Sequence, residues 1–264
     1  MLQTHRTLFD LPHTPAGGGL SAEDYVRLLH PPGSRGKVTL MQLDGQDATF
    51  SRTQSTGDLP NIVGAWLDVS GYVALNRYFG PRARNPLAAL NALYADLDFH
   101  TIPQWRGISP EVVAQAFLAS VETKNIPLPS LLNDTGRGLA AIWLIEETPP
   151  SALPRWKSAM SVLPSLFKKF GADRACTVAA QVFRLPGTIN KKSGREVRVI
   201  GGTLKRLAYD DLADCIYNAA GRPTRRQLAT KRDETSSKKP STSKKTGALR
   251  GLPASLRFAQ IRSD

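Results

Sequence analysis

Short apolar runs separated by turn residues dominate the first part of the chain, a pattern typical of strands joined by tight connections. Ser21 is placed to cap a first helix, and Asp44-Gly45 supplies the turn of a hairpin. The predicted elements are a helix from Ser21 to His30, a hairpin of Lys37–Leu43 with Ala48–Arg52, and a β-rich stretch over Ala65–Tyr78.

From Ala92 onward, strand-like apolar runs alternate with longer segments of helical period. Pro164 predicts a kink, or a division into two helices, within the longest of these segments, and Gly171 ends it. The predicted strands are Ala92–Phe99, Gly138–Ile145 and Val197–Ile200, and the predicted helices are Ser109–Asn125, Leu153–Phe170 and Tyr209–Ala220. Because strands and helices intermingle, the predicted fold class is α/β (α+β) with a mixed sheet.

Composition narrows the class of protein. The 264 residues are 41% apolar and 22% charged, which is ordinary for a globular protein of one large or two small domains. No apolar stretch approaches the roughly 20 residues of a membrane span, and no secretion signal opens the chain, so we expect a cytoplasmic protein without a membrane partner. Cys176 and Cys215 lie far apart and lack a C-x-x-C partner, which argues against a structural zinc site or a disulfide framework.

The positive charge is concentrated in two zones. Residues 222–264 hold 12 Lys and Arg against 3 Asp and Glu, and residues 137–206 hold 13 against 4. A polyanionic partner explains this segregation, because neutralising phosphates supplies much of the affinity of proteins for nucleic acid. The alternative is a solubilising tail together with a solvated face.

The composition also changes after residue 221. Residues 1–221 are predicted to form the folded domain, whereas 222–248 contain TSSKKPSTSKK and are predicted to be a basic, disordered linker. Some helical periodicity returns over 249–264, which predicts the start of a further helical segment or a tail. The sequence would then be a fragment of a longer protein.

The candidate chemistry begins with two carboxylates, Asp96 and Asp98, on the predicted strand Ala92–Phe99. Strand alternation gives them a polar face that also carries Tyr94 and His100. The two aspartates would lie roughly 7 Å apart at the backbone, from about 3.3 Å of rise per residue. A divalent cation would relieve their repulsion, although a solvated strand face with incidental acids is the alternative.

Two further stretches offer contacts for phosphate groups. Thr135-Gly136-Arg137-Gly138 is a turn whose backbone N–H groups and guanidinium could approach an anion, the alternative being an ordinary turn. The second stretch surrounds Pro186-Gly187 with cations and one amide, namely Arg184, Asn190, Lys191 and Lys192. It could grip a triphosphate or remain a solvated surface turn. Upstream, Asp173 could bind a metal or cap a helix that begins near Arg174.

Together these stretches resemble the archaeo-eukaryotic primase superfamily, in particular the primase-polymerase domains of plasmid and mobile-element replication proteins. The resemblance spans roughly residues 35 to 217 and rests on three motifs in the family's order. They are Ala95-Asp96-Leu97-Asp98-Phe99, the Thr135–Gly138 turn, and Gly171-Ala172-Asp173 followed by Arg184-Leu185-Pro186-Gly187-Thr188-Ile189-Asn190. The last run is the most specific part.

The resemblance implies an RRM-like catalytic core with an N-terminal α/β unit and flanking helices. It also implies template-directed nucleotidyl transfer, with Mg²⁺ or Mn²⁺ held by Asp96, Asp98 and Asp173. Asp210 and Asp211 are fallback candidates for the third ligand. The implied partners are a single-stranded DNA template, nucleoside triphosphates and a helicase or other replication domain.

One departure from the family concerns a histidine of the second motif that contacts the incoming nucleotide, because Thr135–Ala141 contains none. Arg137 or His100 could take its role, the alternative for His100 being a polar surface residue. The predicted nucleotide contacts are Thr135, Gly136, Arg137, Gly138, His100, Arg184, Asn190 and Lys191, and the predicted DNA contacts are Lys168, Lys169, Lys192 and Arg195.

Two other classes of function stay open. The first is a non-catalytic DNA-binding replication module, which the missing histidine favours. The second is a metal-dependent single-strand nuclease or relaxase. Such enzymes need a catalytic Tyr beside a His cluster, and the four histidines form no close set in the sequence.

Overall fold

The structure, a computed structural model, describes residues 19–44, 47–82 and 84–230. The chain divides into two compact units, Met1–Thr224 and Arg225–Asp264, and in the second unit residues 225–230 are helical. Most of the predicted linker and all of the predicted segment 249–264 lie outside the described residues, so both stay predictions. Nowhere in the described ranges is a helix long and apolar enough to cross a membrane.

A large sheet forms the frame of the first unit. The strands of this sheet are β1 (Lys37–Asp44), β2 (Asp47–Ser55), β3 (Tyr72–Ala74), β4 (Arg77–Tyr78), β5 (Leu87–Leu97), β6 (Leu131–Asp134), β7 (Leu139–Thr148), β8 (Val182–Arg184) and β11 (Arg198–Gly201). Two further strands, β9 (Ile189–Asn190) and β10 (Arg195–Glu196), form a separate hairpin. Within the described residues the sheet has nine strands in the order β11-β6-β7-β5-β4-β1-β3-β8, with β2 paired to β1. Its ladders are antiparallel, and a parallel bridge joins Ile145 to Leu207. The sheet is thus more uniformly antiparallel than the predicted mixed sheet.

Within its described residues, the first unit has five α-helices that cover or flank this sheet: α1 (Ala22–Leu29), α2 (Leu59–Ile62), α3 (Pro110–Thr123), α4 (Leu153–Leu166) and α5 (Tyr209–Ala219). The first begins as the sequence predicts, because the Ser21 hydroxyl accepts a hydrogen bond from the Asp24 backbone N–H at 3.1 Å. The predicted α+β class is confirmed, as is the N-terminal hairpin of β1 and β2.

The core is centred on β5 and β7, which are buried along most of their lengths. Trp143 on β7 stacks on Phe167 at a centroid distance of 6.3 Å and meets Phe117 of α3 edge-on at 6.5 Å. The carbonyl of Ala92 on β5 accepts a hydrogen bond of 2.9 Å from the indole N–H of Trp156 on α4. These contacts fix α3 and α4 to the two central strands of the sheet.

Two predictions about the elements need correction. The β-rich stretch over Ala65–Tyr78 is wrong in its first part, where a 3₁₀ turn, Val63–Trp66, follows directly from α2, and only β3 and β4 are strands. The longest predicted helix ends at Leu166, beyond Pro164, and a 3₁₀ turn, Lys168–Phe170, follows it. The predicted segment is therefore divided into two helical parts, but the division follows Leu166 and is not at Pro164.

Candidate active site

Three aspartates meet where β5 ends. The segment Gly171–Asp173 runs antiparallel beside the end of β5, with the Asp98 N–H donating to the Gly171 carbonyl at 3.0 Å and the Asp173 N–H donating to the Asp96 carbonyl at 2.9 Å. Leu97 and Ala172 form the bridge between these two bonds. Asp173 is therefore directly opposite Asp96, where Cβ atoms in antiparallel pairs lie about 4.5–5.5 Å apart. We call Asp96, Asp98 and Asp173 the carboxylate edge.

Gly171 makes this approach possible. Its φ of +74° is in the left-handed region that favours glycine, and a Cβ at this position would lie 2.6 Å from the Asp98 carbonyl oxygen. Any larger residue would push the segment away from β5. The glycine that the sequence identifies as a helix stop thus also brings Asp173 to the carboxylate edge.

The electrostatics of the carboxylate edge are unfavourable for three ionised groups. Burial and the nearby charges of Asp98 and Asp173 raise the pKa of Asp96 from 3.8 to about 7. Burial, together with the same three carboxylates, also raises the pKa of the Cys176 thiol. Hard oxygen donors crowded in this way suit Mg²⁺ or Mn²⁺, whose charge would offset the repulsion.

The three carboxylates are neighbours rather than a preassembled ligand set. Among the described residues, no group of three or more His, Cys, Asp or Glu side chains is arranged to hold a metal ion. The Oδ1 atom of Asp173 accepts a hydrogen bond of 2.8 Å from the Ala175 N–H, but no helix of the described residues begins near Arg174, so the predicted alternative of a helix cap is wrong. Metal binding by Asp96, Asp98 and Asp173 therefore stays a prediction.

The predicted polar face of this strand is wrong in two positions. Tyr94 is fully buried and its hydroxyl donates to the Val178 carbonyl at 2.5 Å, because β5 is a central strand covered on both faces. His100 is on a 3₁₀ turn, Phe99–Thr101, because the strand ends at Leu97. Its Nδ1 atom still lies 3.9 Å from Oδ1 of Asp98.

A cleft of about 780 Å³ opens beside Asp96 and Asp98. Of the side chains predicted to act at the site, it brings together Asp96, Asp98, His100, Thr135, Arg137, Arg184, Asn190, Lys191 and Lys192. It is also lined by residues that sequence reasoning missed, including Ser70, Tyr72, Arg82, Gln181 and Phe183. The cleft therefore joins the acidic end of β5 to a group of cations.

Tyr72 and Arg184 form one wall of the cleft as a pair. β3 pairs with β8 so that Tyr72 is opposite Arg184, and the guanidinium carbon lies 4.6 Å from the centroid of the Tyr72 ring. This cation–π contact restricts the guanidinium of Arg184. Local sequence carries no signal for Tyr72, because its position depends on the register of two strands about 110 residues apart.

The Thr135–Gly138 turn differs from its prediction as a source of backbone N–H groups. The Gly136 N–H donates to Oδ1 of Asp134 at 2.8 Å, and the Gly138 N–H donates to the Thr135 hydroxyl at 3.0 Å. Both N–H groups are thus used inside the turn, as in the predicted alternative of an ordinary turn. Thr135 and Arg137 of the turn line the cleft, and the Arg137 side chain is exposed there.

The stretch after Pro186-Gly187 forms the β9–β10 hairpin, which carries Lys191 and Lys192 at its tip. Asn190 is the last residue of β9 and is buried, whereas Lys191 and Lys192 are exposed in the connection to β10. Together with Arg137, the two lysines form a group of cations beside the cleft. We call Arg137, Lys191 and Lys192 the basic rim.

Several predicted site residues are not among those that line the cleft. Lys168 and Lys169 are in the 3₁₀ turn before Gly171, and the Lys169 ammonium lies 5.0 Å from the Phe170 ring centroid. Arg195 pairs with Asp134 at 3.0 Å. Their roles in DNA binding stay predictions. The fallback candidates Asp210 and Asp211 are in the first turn of α5, where Asp210 pairs with Arg155.

The chain shares its fold with the AEP domain of a solved primase-polymerase, in agreement with the fold that the sequence resemblance implies. It superposes on the AEP domain of the cyanophage S-2L primase-polymerase with a TM-score of 0.50 at 15% identity, covering 73% of this chain and 94% of that domain. Two structures of primase RepB′, one of its catalytic domain in complex with initiator DNA, give TM-scores of 0.49 and 0.48, each at 13% identity, and cover 82% and 81% of this chain and 67% and 96% of theirs.

Sequence comparison adds a curated relative. A protein of Clostridium perfringens named "Replication protein" is 34% identical over 134 residues, which are 50% of this chain and 32% of that protein. The chain therefore spans about a third of the length of this relative. A scan against known protein families finds no match.

Proposed function

We propose that this domain is a DNA-dependent primase-polymerase, a nucleotidyltransferase that acts in the cytoplasm during plasmid or mobile-element replication. The observation that carries the proposal is the carboxylate edge beside a cleft lined with cations. Asp96 and Asp98 reach the cleft directly, and Asp173 stands opposite Asp96. The fold of the chain and the name of its curated relative support the same role.

The carboxylate edge suits a pair of divalent cations. Asp96 and Asp98, with Asp173, would hold Mg²⁺ or Mn²⁺, because carboxylate oxygens are the hard donors that these ions prefer and a cation would offset the burial and the repulsion that raise the pKa of Asp96 to about 7. When bound, the ions would lower the pKa of the attacking 3′-hydroxyl and neutralise charge on the triphosphate. Asp173 would leave its contact with the Ala175 N–H to join them.

The cationic side chains of the cleft would bind the triphosphate. Arg137, Lys191 and Lys192 lie beside the cleft, where they can neutralise phosphate charge as it shifts to the leaving pyrophosphate. Arg184, held against Tyr72, offers a guanidinium already fixed in direction. His100 supplies a hydrogen-bonding group beside Asp98, since its Nδ1 is buried and has no hydrogen-bond partner among the described residues.

The substrates would be nucleoside triphosphates and a single-stranded DNA template. The template would cross the basic zone of residues 137–206, with its 13 Lys and Arg. Lys168, Lys169, Lys192 and Arg195 are the proposed contacts to its phosphates. A helicase or another replication domain is the proposed partner in the longer protein.

Template-directed incorporation of labelled deoxynucleotides, with Mg²⁺ or Mn²⁺ on a primed single strand, tests the proposal. The wild-type chain should extend the primer, and Asp96→Ala should abolish extension. Asp68→Ala is the matched control, because Asp68 is exposed and is not among the residues that line the cleft. Extension by Asp96→Ala at the wild-type rate would refute the proposed site.

A non-catalytic DNA-binding module is the second candidate. Its support is that the described residues contain no preassembled metal-ligand group. A wild-type chain that binds single-stranded DNA but incorporates no nucleotide would favour it. Cleavage of single-stranded DNA without added nucleotides would instead favour a nuclease or relaxase.

A further inference from the structure

A buried carboxylate is hydrogen-bonded to the Thr135–Gly138 turn. Asp134 is fully buried at the end of β6, and its Oδ1 accepts a hydrogen bond of 2.8 Å from the Gly136 N–H. Its Oδ2 lies 3.0 Å from a guanidinium nitrogen of Arg195 and 3.6 Å from one of Arg198. Both oxygens are therefore engaged, and Arg195 ties β10 to the turn.

A buried amide makes the second connection. Asn190 is 5% exposed, and its side-chain N–H group donates to the Thr135 carbonyl at 2.7 Å. Its side-chain oxygen accepts a hydrogen bond of 3.1 Å from the Lys192 backbone N–H. One side chain thus fixes the turn that carries Arg137 and the loop that carries Lys191 and Lys192.

The two segments approach each other closely at Gly136. Gly136 has a φ of +80°, and a Cβ there would lie 3.0 Å from both the Arg195 carbonyl oxygen and the Asn190 Cβ. The turn and the hairpin are therefore packed together as one unit.

We infer that Asp134 and Asn190 are positioning residues that hold the basic rim ready for the triphosphate of an incoming nucleotide. The identity of that ligand rests on the proposed function. Ordering the rim before binding lowers the conformational entropy that the ligand would otherwise have to offset. Asn190, which the sequence suggests as a nucleotide contact, acts through its neighbours, since both of its polar atoms are already bonded.

Titration of the full chain with inorganic tripolyphosphate in EDTA tests the inference without metal or polymerisation. Asn190→Ala and Asp134→Ala should each weaken binding about tenfold, the loss that corresponds to one or two buried hydrogen bonds. Asp134→Asn should lose less, because it keeps an oxygen for the Gly136 N–H. In the incorporation assay, Asn190→Ala should raise the KM for nucleotide about tenfold while kcat changes little.

Ser130→Ala is the matched control for loss of stability. Ser130 is fully buried before β6, donates to the Lys205 carbonyl at 2.6 Å and accepts from the Leu144 N–H at 2.8 Å. It thus loses the same two kinds of hydrogen bond far from the rim and should keep wild-type affinity for tripolyphosphate. Asn190→Ala and Arg137→Ala combined should lose less than the sum of their separate effects, because both act on the same interaction with phosphate.

Three results would overturn the inference: no binding of tripolyphosphate by the wild type, unchanged binding by Asn190→Ala, or an equal loss in Ser130→Ala. A failed proposed function gives a different result. In that case the wild type would incorporate no nucleotide, while its affinity for tripolyphosphate would still depend on Asn190.

Discussion

The carboxylate edge and the basic rim are built in different ways. Main-chain hydrogen bonds between β5 and Gly171–Asp173 bring the three aspartates together, so their spacing is set by strand geometry. The rim is assembled by side chains, chiefly Asp134 and Asn190, which join two loops. Substitutions that alter the main chain should therefore disturb the carboxylate edge, whereas substitutions of side chains should disturb the rim.

The two regions also handle repulsion differently. Asp96 is held in a buried position beside Asp98 and Asp173, so burial and, after it, the repulsion between the carboxylates raise its pKa. The cations of the rim are exposed and are screened by water, so holding them together costs less. We therefore expect the carboxylate edge to lower the stability of the fold more than the basic rim does.

Asp96→Asn should have the largest effect. Incorporation should fall by about 100- to 1,000-fold, as when a group that acts on transition-state charge is removed. The same substitution should raise stability at pH 8 in EDTA, because it deletes one of three crowded charges. Primer extension and thermal unfolding of one preparation measure both. A variant that loses activity and stability together would contradict this view, and Asp68→Asn should change neither.

Gly171→Ala should come next, because it attacks the main-chain placement of Asp173. A φ of +74° strains any other residue by about 1–2 kcal/mol, and the added Cβ would also meet the Asp98 carbonyl. Gly33→Ala is the control, since Gly33 has a φ of +82° but nothing within 4 Å of an added Cβ. Urea unfolding should show a larger loss for Gly171→Ala. Equal losses would mean that the close approach to β5 is unimportant.

The contrast between the two regions explains what the sequence could predict. Alternation and the D-x-D spacing identified Asp96 and Asp98, because neighbouring positions on one strand are fixed by local geometry. Asp173 came from the resemblance, since no local rule reveals which strand the Gly171–Asp173 segment joins. The α+β class followed from the intermingled periods of strands and helices.

The failures have the same physical origin. Tyr94 was predicted to share the polar face with Asp96, but β5 is covered on both faces, and alternation cannot distinguish a central strand from a half-exposed one. Tyr72 was missed because its place opposite Arg184 depends on long-range strand register. Asp134 gave no signal at all, since a buried acid paired with arginines looks like any acid in the sequence.

Stability should also depend on pH through Asp96. Its pKa is 3.8 when exposed and about 7 in the folded chain, so the folded state holds a proton that the unfolded state has lost between these values. This contribution is complete below about pH 4 and is lost as the pH rises through about 7. The Tm should fall over this range by about 2–4 °C for each kcal/mol lost. Asp96→Asn should flatten the curve, and Mn²⁺ should stabilise more at pH 8 than at pH 5. An unchanged slope in Asp96→Asn would assign the pH dependence to other groups.

The smallest effect is expected from the tail, which belongs to neither region. Deleting residues 222–264 removes 12 Lys and Arg, so affinity for single-stranded DNA should fall several-fold, and its salt slope should become shallower by about 0.7 for each phosphate that the tail no longer neutralises. Stabilisation by Mn²⁺ and the KM for nucleotide should stay at wild-type values, because the carboxylate edge and the basic rim are intact. Replacing Lys238, Lys239, Lys244 and Lys245 with Gln removes four positive charges and keeps the length of the tail. This variant distinguishes the effect of the tail's charge from the effect of its length. If both variants keep the salt dependence of the wild-type chain, the tail does not bind DNA and the zone of residues 137–206 accounts for the binding. The basic rim would then bind the template as well as the triphosphate.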